Sequence, residues 1–147
     1  MWRDEFELGH EDMDATHREF VSFVDALLRA ADDELPARLD ALAEHTKRHF
    51  GEEDEAMRRG AYNAGGCHVE EHAAVLKSLD EVRQAVREGR PAVARAFAEA
   101  LADWFPEHAR VMDLGLAQWM VQQRLGGAPI LIRRRTGPLV HQAVGAR

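Results

Sequence analysis

The chain has 147 residues, 46% of them hydrophobic and 31% charged, with a formal net charge of −7 at pH 7. That length supports one domain with a real core, and the acidic balance argues against nucleic acid, whose phosphates attract a basic face. No segment approaches the length of a membrane span, so a membrane role is not expected either.

Cys67 is the only cysteine, which excludes an internal disulfide and suits a reducing compartment. The opening residues Met1-Trp2-Arg3-Asp4-Glu5 hold no apolar stretch that could act as a leader. The expected setting is the cytoplasm. Residues 1–13 mix Trp2, Phe6 and Leu8 with Gly9 and acids, which predicts an extended arm packed on the domain. Asp12 or Asp14 is placed to cap a first helix, whose stripe His17, Phe20, Val21, Val24, Leu27, Leu28 puts His17 on the buried side. Asp32-Asp33-Glu34 ends it, and Pro36 suits the first turn of a second helix. There the stripe is Leu35, Leu39, Leu42, Thr46, His49, Glu53, Met57, with Gly60 as the stop. A third helix carries His68, His72, Val75, Leu76, Leu79, Val82 and Val86 on one face, closed by Gly89. Pro91 opens a fourth, with Val93, Phe97, Leu101, Trp104, His108, Met112, Leu116 and Trp119 in register.

Four helices joined by short loops predict an all-α fold, an up-down-up-down antiparallel four-helix bundle over residues 1–125. Periodicity stops at Gly126-Gly127-Ala128-Pro129. Residues 126–147 read as a C-terminal tail with an apolar run, Ile130-Leu131-Ile132, then Arg133, Arg134 and Arg135. The tail has four arginines and no acid, so the remainder carries −11 (−7 less the tail's +4). Such a run is usually a solvated face, and docking to an acidic protein partner is the functional alternative.

Ligand-type residues fall into four groups, one per helix: His17, His49-x-x-x-Glu53, His68-x-x-x-His72, and His108 followed five residues later by Asp113. Histidines at i and i+4 share a helix face, where both rings can reach one ion. A lone histidine on an apolar face is more often a satisfied core residue, but here every helix places its ligand types on the apolar stripe. Buried Glu53 and Asp113 without a cation would carry a heavy desolvation cost. Five imidazoles and two carboxylates are too many for one ion and about right for two. With both carboxylates bridging, the seven residues supply nine bonds, so two six-coordinate ions that also share one solvent-derived oxygen keep one coordination position open for a small ligand. The donor set suits iron, zinc or manganese without choosing between them.

The order H…H-x-x-x-E…H-x-x-x-H…H-x-x-x-x-D resembles the hemerythrin family in its bacterial single-domain form. Met13-Asp14-Ala15-Thr16-His17, His49-Phe50-Gly51-Glu52-Glu53 with Met57 after it, and Trp104 one turn before His108 add to the likeness, which covers about residues 2–125. The resemblance implies two iron ions with an oxo or hydroxo bridge, binding dioxygen reversibly. It places His68, His72 and His108 on one iron, His17 and His49 on the other, and Glu53 and Asp113 across both. The two-histidine iron keeps the vacant position. Leu101, Trp104 and Phe105 are candidates for the apolar oxygen pocket, and His45, one turn before His49, for a residue that supports a ligand or the pocket rather than binding metal. Departures from the common pattern are Phe105 where leucine is frequent, Pro106 interrupting the fourth helix, and Ala109 where isoleucine is common; they bear on pocket size.

Carriage, storage or sensing of dioxygen is the leading expectation. The alternatives are an enzyme reducing peroxide or nitric oxide, and iron buffering or a structural site. A ferroxidase-type bundle is disfavoured, since its E-x-x-H spacing is missing. The 140° swept by five residues on a regular helix is awkward for His108 and Asp113, so a widened turn is expected between Pro106 and Asp113. His10 and His141 lie outside the stripes and are expected in solvent. Cys67 is expected to pack rather than ligate, and Met112, Trp119 and Met120 to belong to the core.

Overall fold

Apolar residues recurring every three or four positions commit the described chain to helices, and the turn residues cut them where the sequence predicts. A computed structural model describes residues 1–63 and 65–126. Helix α1 spans Glu11–Arg29, α2 Leu35–Arg59, α3 Gly65–Arg87 and α4 Ala92–His108. A π turn at Ala109–Asp113 then leads into α5, Leu114–Arg124, so residues 92–124 form one helical rod. Helix α1 packs on α2 and α4, and α3 packs on α2 and α4, giving the expected four-helix bundle. No strand occurs among the described residues, and none of the helices there is long and apolar enough to cross a membrane.

The helix ends follow local chemistry. Pro36 stands in the first turn of α2, where its missing amide costs nothing. Gly60 caps α2, and Gly89, at φ +83°, turns the chain after α3. Glu34 accepts the Ala31 amide at 2.9 Å in the α1–α2 loop. Arg95 ties that loop to α4 through the Ala30 carbonyl at 3.0 Å and Asp32 at 2.7 Å.

The start of α1 differs from expectation. His10, expected in solvent, is buried and is itself the cap: its Nδ1 accepts the Met13 amide at 3.3 Å. Asp14 instead reaches upstream and accepts the amides of Leu8 and Gly9 at 2.7 and 3.1 Å. Gly9, at φ +81°, folds the arm back so that these amides face the carboxylate. The arm therefore packs as expected, burying Phe6 and Leu8 after a short 3-10 turn at Asp4–Phe6. Arg18 holds it from α1, paired with Glu7 at 2.5 Å and lying over the Trp2 ring.

On α4 the inward face lies slightly around the rod from the predicted stripe. Ala94 and Ala98 are fully buried while the bulkier Val93 and Phe97 are half-buried, because the small side chains let the backbones approach. Pro106 does not interrupt the helix: α4 runs through it to His108. Cys67 is exposed rather than packed. Met112, Trp119 and Met120 are half-buried, the last two against a small apolar cluster. His141 and the apolar and arginine runs of the tail lie outside the described residues.

Two apolar cores result. The larger joins Phe20, Val24 and Leu27 of α1, Leu39 and Leu42 of α2, Leu79 and Val82 of α3, and Leu101 and Phe105 of α4. The smaller joins Leu8 and Met13 to Met57, Leu116 and Ala117. Along each of α1, α2 and the fourth rod, the ligand-type residues fall between the two cores. The closest approach near the smaller core is at Gly60, where an added Cβ would stand inside the Trp119 ring. Gly60→Ala should cost about 1–3 kcal/mol by overpacking. In urea unfolding, that cost should shrink when Trp119→Ala is already present, since the two residues are in contact.

Candidate metal centre

All four groups of ligand-type residues meet in the layer between the cores. His17, His68, His72 and Asp113 are essentially inaccessible, and His49, Glu53 and His108 are buried. Their donor atoms form two overlapping sets, each with atoms within 4.8 Å of one another: Glu53, His68, His72, His108 and Asp113; and His17, His49 and Glu53.

The two carboxylates divide their oxygens between the sets. Glu53 turns Oε1 to His49 Nε2 at 3.4 Å and His17 Nε2 at 3.7 Å. Its Oε2 faces His68 Nε2 at 3.4 Å and His72 Nε2 at 3.3 Å. Asp113 does likewise, with Oδ2 at 3.2 Å from His17 Nε2 and Oδ1 at 2.8 and 3.1 Å from the Nε2 atoms of His68 and His108. Each carboxylate thus faces a two-histidine side and a three-histidine side.

Hydrogen bonding leaves much of this layer unsatisfied. The Nε2 atoms of His17 and His68, both Glu53 oxygens and Asp113 Oδ1 are buried and approach one another without forming an aligned hydrogen bond. Buried polar atoms are nearly always paired, and a converging set of unpaired nitrogens and anionic oxygens is the environment a cation completes. The residues therefore fit a metal centre.

Electrostatics within the layer point the same way. Burial pushes the His17 and His68 imidazoles down, but the Asp113 and Glu53 carboxylates beside them outweigh it and raise both to about 9. Burial pushes Glu53 and Asp113 up, and the Asp113 charge adds to this at Glu53; the surrounding histidines outweigh it and hold both below the usual carboxylate range. His49 has less carboxylate contact, and burial pushes it down to about 4. Protons on His17 and His68 stand where metal charge belongs.

The five-residue step from His108 to Asp113 is solved by the backbone. In the π turn the Leu114 amide bonds the Ala109 carbonyl, five residues back. A wider turn carries an extra residue, which brings Asp113 round to the His108 side. Pro106 lies just upstream and has no amide to offer the regular ladder.

Comparison with known proteins agrees with this geometry. The family model for the hemerythrin HHE cation binding domain matches residues 8–120. A bacteriohemerythrin of Ralstonia nicotianae is 33% identical over 122 residues, covering 83% of this chain and 89% of that protein. A second bacteriohemerythrin, of Stenotrophomonas maltophilia, is 24% identical over 124 residues, 80% and 78% of the respective chains. The chain belongs to the hemerythrin family.

Two residues of this hemerythrin domain escaped the sequence reading. Asp54 Oδ1 lies 2.7 Å from His72 Nδ1, and Glu71 Oε2 lies 2.7 Å from His108 Nδ1. Each adjoins a ligand-type residue in sequence, so only the packing of neighbouring helices distinguishes it from other surface acids. His45 belongs to neither donor set. It is buried, 6.0 Å ring to ring from His49 and 5.1 Å from Phe23, with Nε2 at 3.9 Å from Glu19. The narrow gap beside the centre is lined by Phe20, His49, Phe50, Trp104, Phe105, His108 and Asp113 and has no room for a water-sized sphere. Trp104 and Phe105 thus lie against it. Leu101 lines a separate hollow of about 330 Å³ beyond Phe105, with Phe6, Phe20, Val21 and Val24.

The raised histidines have a pH consequence. At pH 7 the metal-free fold carries protons on His17 and His68, while His49 is neutral. Those two protons stabilise the metal-free fold below the unfolded histidine value near 6.5, and that contribution fades as pH rises through about 9. A metal ion must displace them, so apparent affinity for the folded protein should climb with pH up to about 9. Adding Zn²⁺ to lightly buffered metal-free protein at pH 7 should release about two protons per chain, read with an indicator dye. Release of none would show that the rings are already neutral.

Proposed function

We propose that this domain holds two iron ions and binds dioxygen reversibly at one of them, for carriage, storage or sensing. The observation that carries the reading is the division of the Glu53 and Asp113 oxygens between a two-histidine and a three-histidine side. Two anions so placed suit a bridged pair of ions. Imidazole and carboxylate donors are compatible with iron, manganese or zinc, and membership of the hemerythrin family favours iron. His68, His72 and His108 would hold one ion and His17 and His49 the other. Bound iron would supply the electrons that a reversible bond to dioxygen requires.

The protein's own contribution is placement and dryness. The side with fewer histidines would leave a coordination position free, and the aromatic walls of Phe20, Phe50, Trp104 and Phe105 stand against the gap. Apart from the ligand-type residues, that gap presents no acid or base, which favours binding over turnover. Phe105 sits 5.3 Å ring to ring from His17 and is backed by Phe6 and Phe20, so its position is set by packing on both sides. Excluding water and anions would prolong the oxygenated form. The binding unit is residues 1–125, with residues 126–147 a basic appendage; the family match and the end of α5 at Arg124 support that division.

Protein produced with iron available should contain two irons per chain by elemental analysis; a single zinc overturns the reading. Anaerobic reduction followed by air should give a visible absorption that disappears on deoxygenation. Peroxide consumption without any such reversible species would make the domain an enzyme instead. Glu53→Ala or Asp113→Ala should lose more metal than His49→Ala, because each carboxylate serves both sides. Phe105→Ala should keep two irons and autoxidise several-fold faster; an unchanged rate would remove Phe105 from the pocket wall.

A further inference from the structure

The five imidazoles are not equally supported. His72 and His108 each have a carboxylate on the nitrogen that faces away from the centre, Asp54 and Glu71 respectively, both at 2.7 Å. An ionised carboxylate only accepts, so each Nδ1 carries the proton and each Nε2 presents its lone pair inward. The rings are also held on their faces. Phe50 lies parallel to His72 at 3.9 Å, and Trp104 lies over His108 at 4.3 Å. Phe50 and Asp54 come from one turn of α2 and clamp a ring of α3; Glu71 of α3 then clamps a ring of α4. Among the described residues neither Asp54 nor Glu71 has another charged partner.

The result is an inner cluster of acceptors. His72 Nε2 and His108 Nε2 stand 3.3 Å apart, with Glu53 Oε2 at 3.3 Å from the first and Asp113 Oδ1 at 3.1 Å from the second. Two ring nitrogens and two carboxylate oxygens thus converge on one point, an arrangement that a cation relieves. The opposite side has no such support. His17 Nδ1 is buried without a partner, as is His68 Nδ1, so that the three-histidine side has two of its three rings held from behind and the two-histidine side none; the His17 ring rests edge-on against His49 and Phe105. His49 has no carboxylate behind it among the described residues.

We infer that Asp54 and Glu71 are positioning residues that make the three-histidine side the tighter and first-filled of the two metal sites. The inference rests on the dinuclear reading above. A carboxylate behind a ligating histidine fixes its tautomer and raises its basicity, and losing it typically costs about 10–100-fold in metal affinity. Pre-ordered rings also give up less freedom on binding.

Cobalt(II) titration of the metal-free protein tests this, followed by visible absorption and by paramagnetic shifts of the histidine signals. In the wild type the first equivalent should bind more tightly than the second and perturb His68, His72 and His108 before His17 and His49. Asp54→Ala and Glu71→Ala should each weaken the first equivalent about 10–100-fold and leave the second unchanged. Asp54→Asn and Glu71→Gln, which keep an acceptor oxygen without its charge, should fall between. Thermal unfolding of the metal-free variants reads the structural part of each hydrogen bond separately; a merely structural role would weaken both equivalents together, in step with that loss of stability. Equal loss at both equivalents, or no loss, overturns the inference while leaving two sites in place. A wild-type chain that takes fewer than two cobalt ions overturns the dinuclear reading and this inference with it.

Discussion

Two buried carboxylates, Glu53 and Asp113, set the terms for the rest of the molecule. An anion removed from water costs several kcal/mol even after the surroundings relax, and here two lie in one layer among five imidazoles. Every helix of the bundle supplies at least one of those imidazoles. The bundle is thus closed at its middle by charge and at its two ends by apolar packing. Neither core lies within reach of all the ligand-type residues, yet together they hold the helices at the spacing the charged layer requires.

The fourth rod bears most of the geometric burden. It must bring His108 and Asp113 to the same point, although five residues separate them, and the π turn does this at the cost of regular hydrogen bonding. Its buried alanines, Ala94 and Ala98, let the rod approach its neighbours closely farther along. Phe105 lies between these features and links the arm, through Phe6, to the ring of His17. Arm, π turn and centre are therefore one packed unit, and a change in any of them reaches the others through direct contact.

The two sides of the centre differ in how much of their geometry exists without metal. Carboxylate and aromatic contacts hold His72 and His108, whereas His17 rests on weaker edge contacts. On the proposed dinuclear reading, that asymmetry would favour filling the three-histidine side first and leave the two-histidine side better able to accommodate a small ligand.

Much of this was legible in the chain itself. Four apolar stripes at helical spacing named the helices, because a helix buries one face wherever it lies in the fold. The ligand-type residues stood out for the same reason: His17, His49, Glu53, His68, His72 and His108 occupy stripe positions where an apolar side chain belongs. Even the π turn was readable, since five residues on a regular helix would turn Asp113 away from His108. What only the tertiary structure decided were relations between helices. The division of the Glu53 and Asp113 oxygens, the pairing of Asp54 with His72 and of Glu71 with His108, and the inward alanine face of α4 depend on which rod lies beside which. The burial and capping role of His10 were not legible, because they follow the turn that Gly9 makes at positive φ, and no periodicity encodes that. Sequence spacing states what shares a face; only packing states what that face meets.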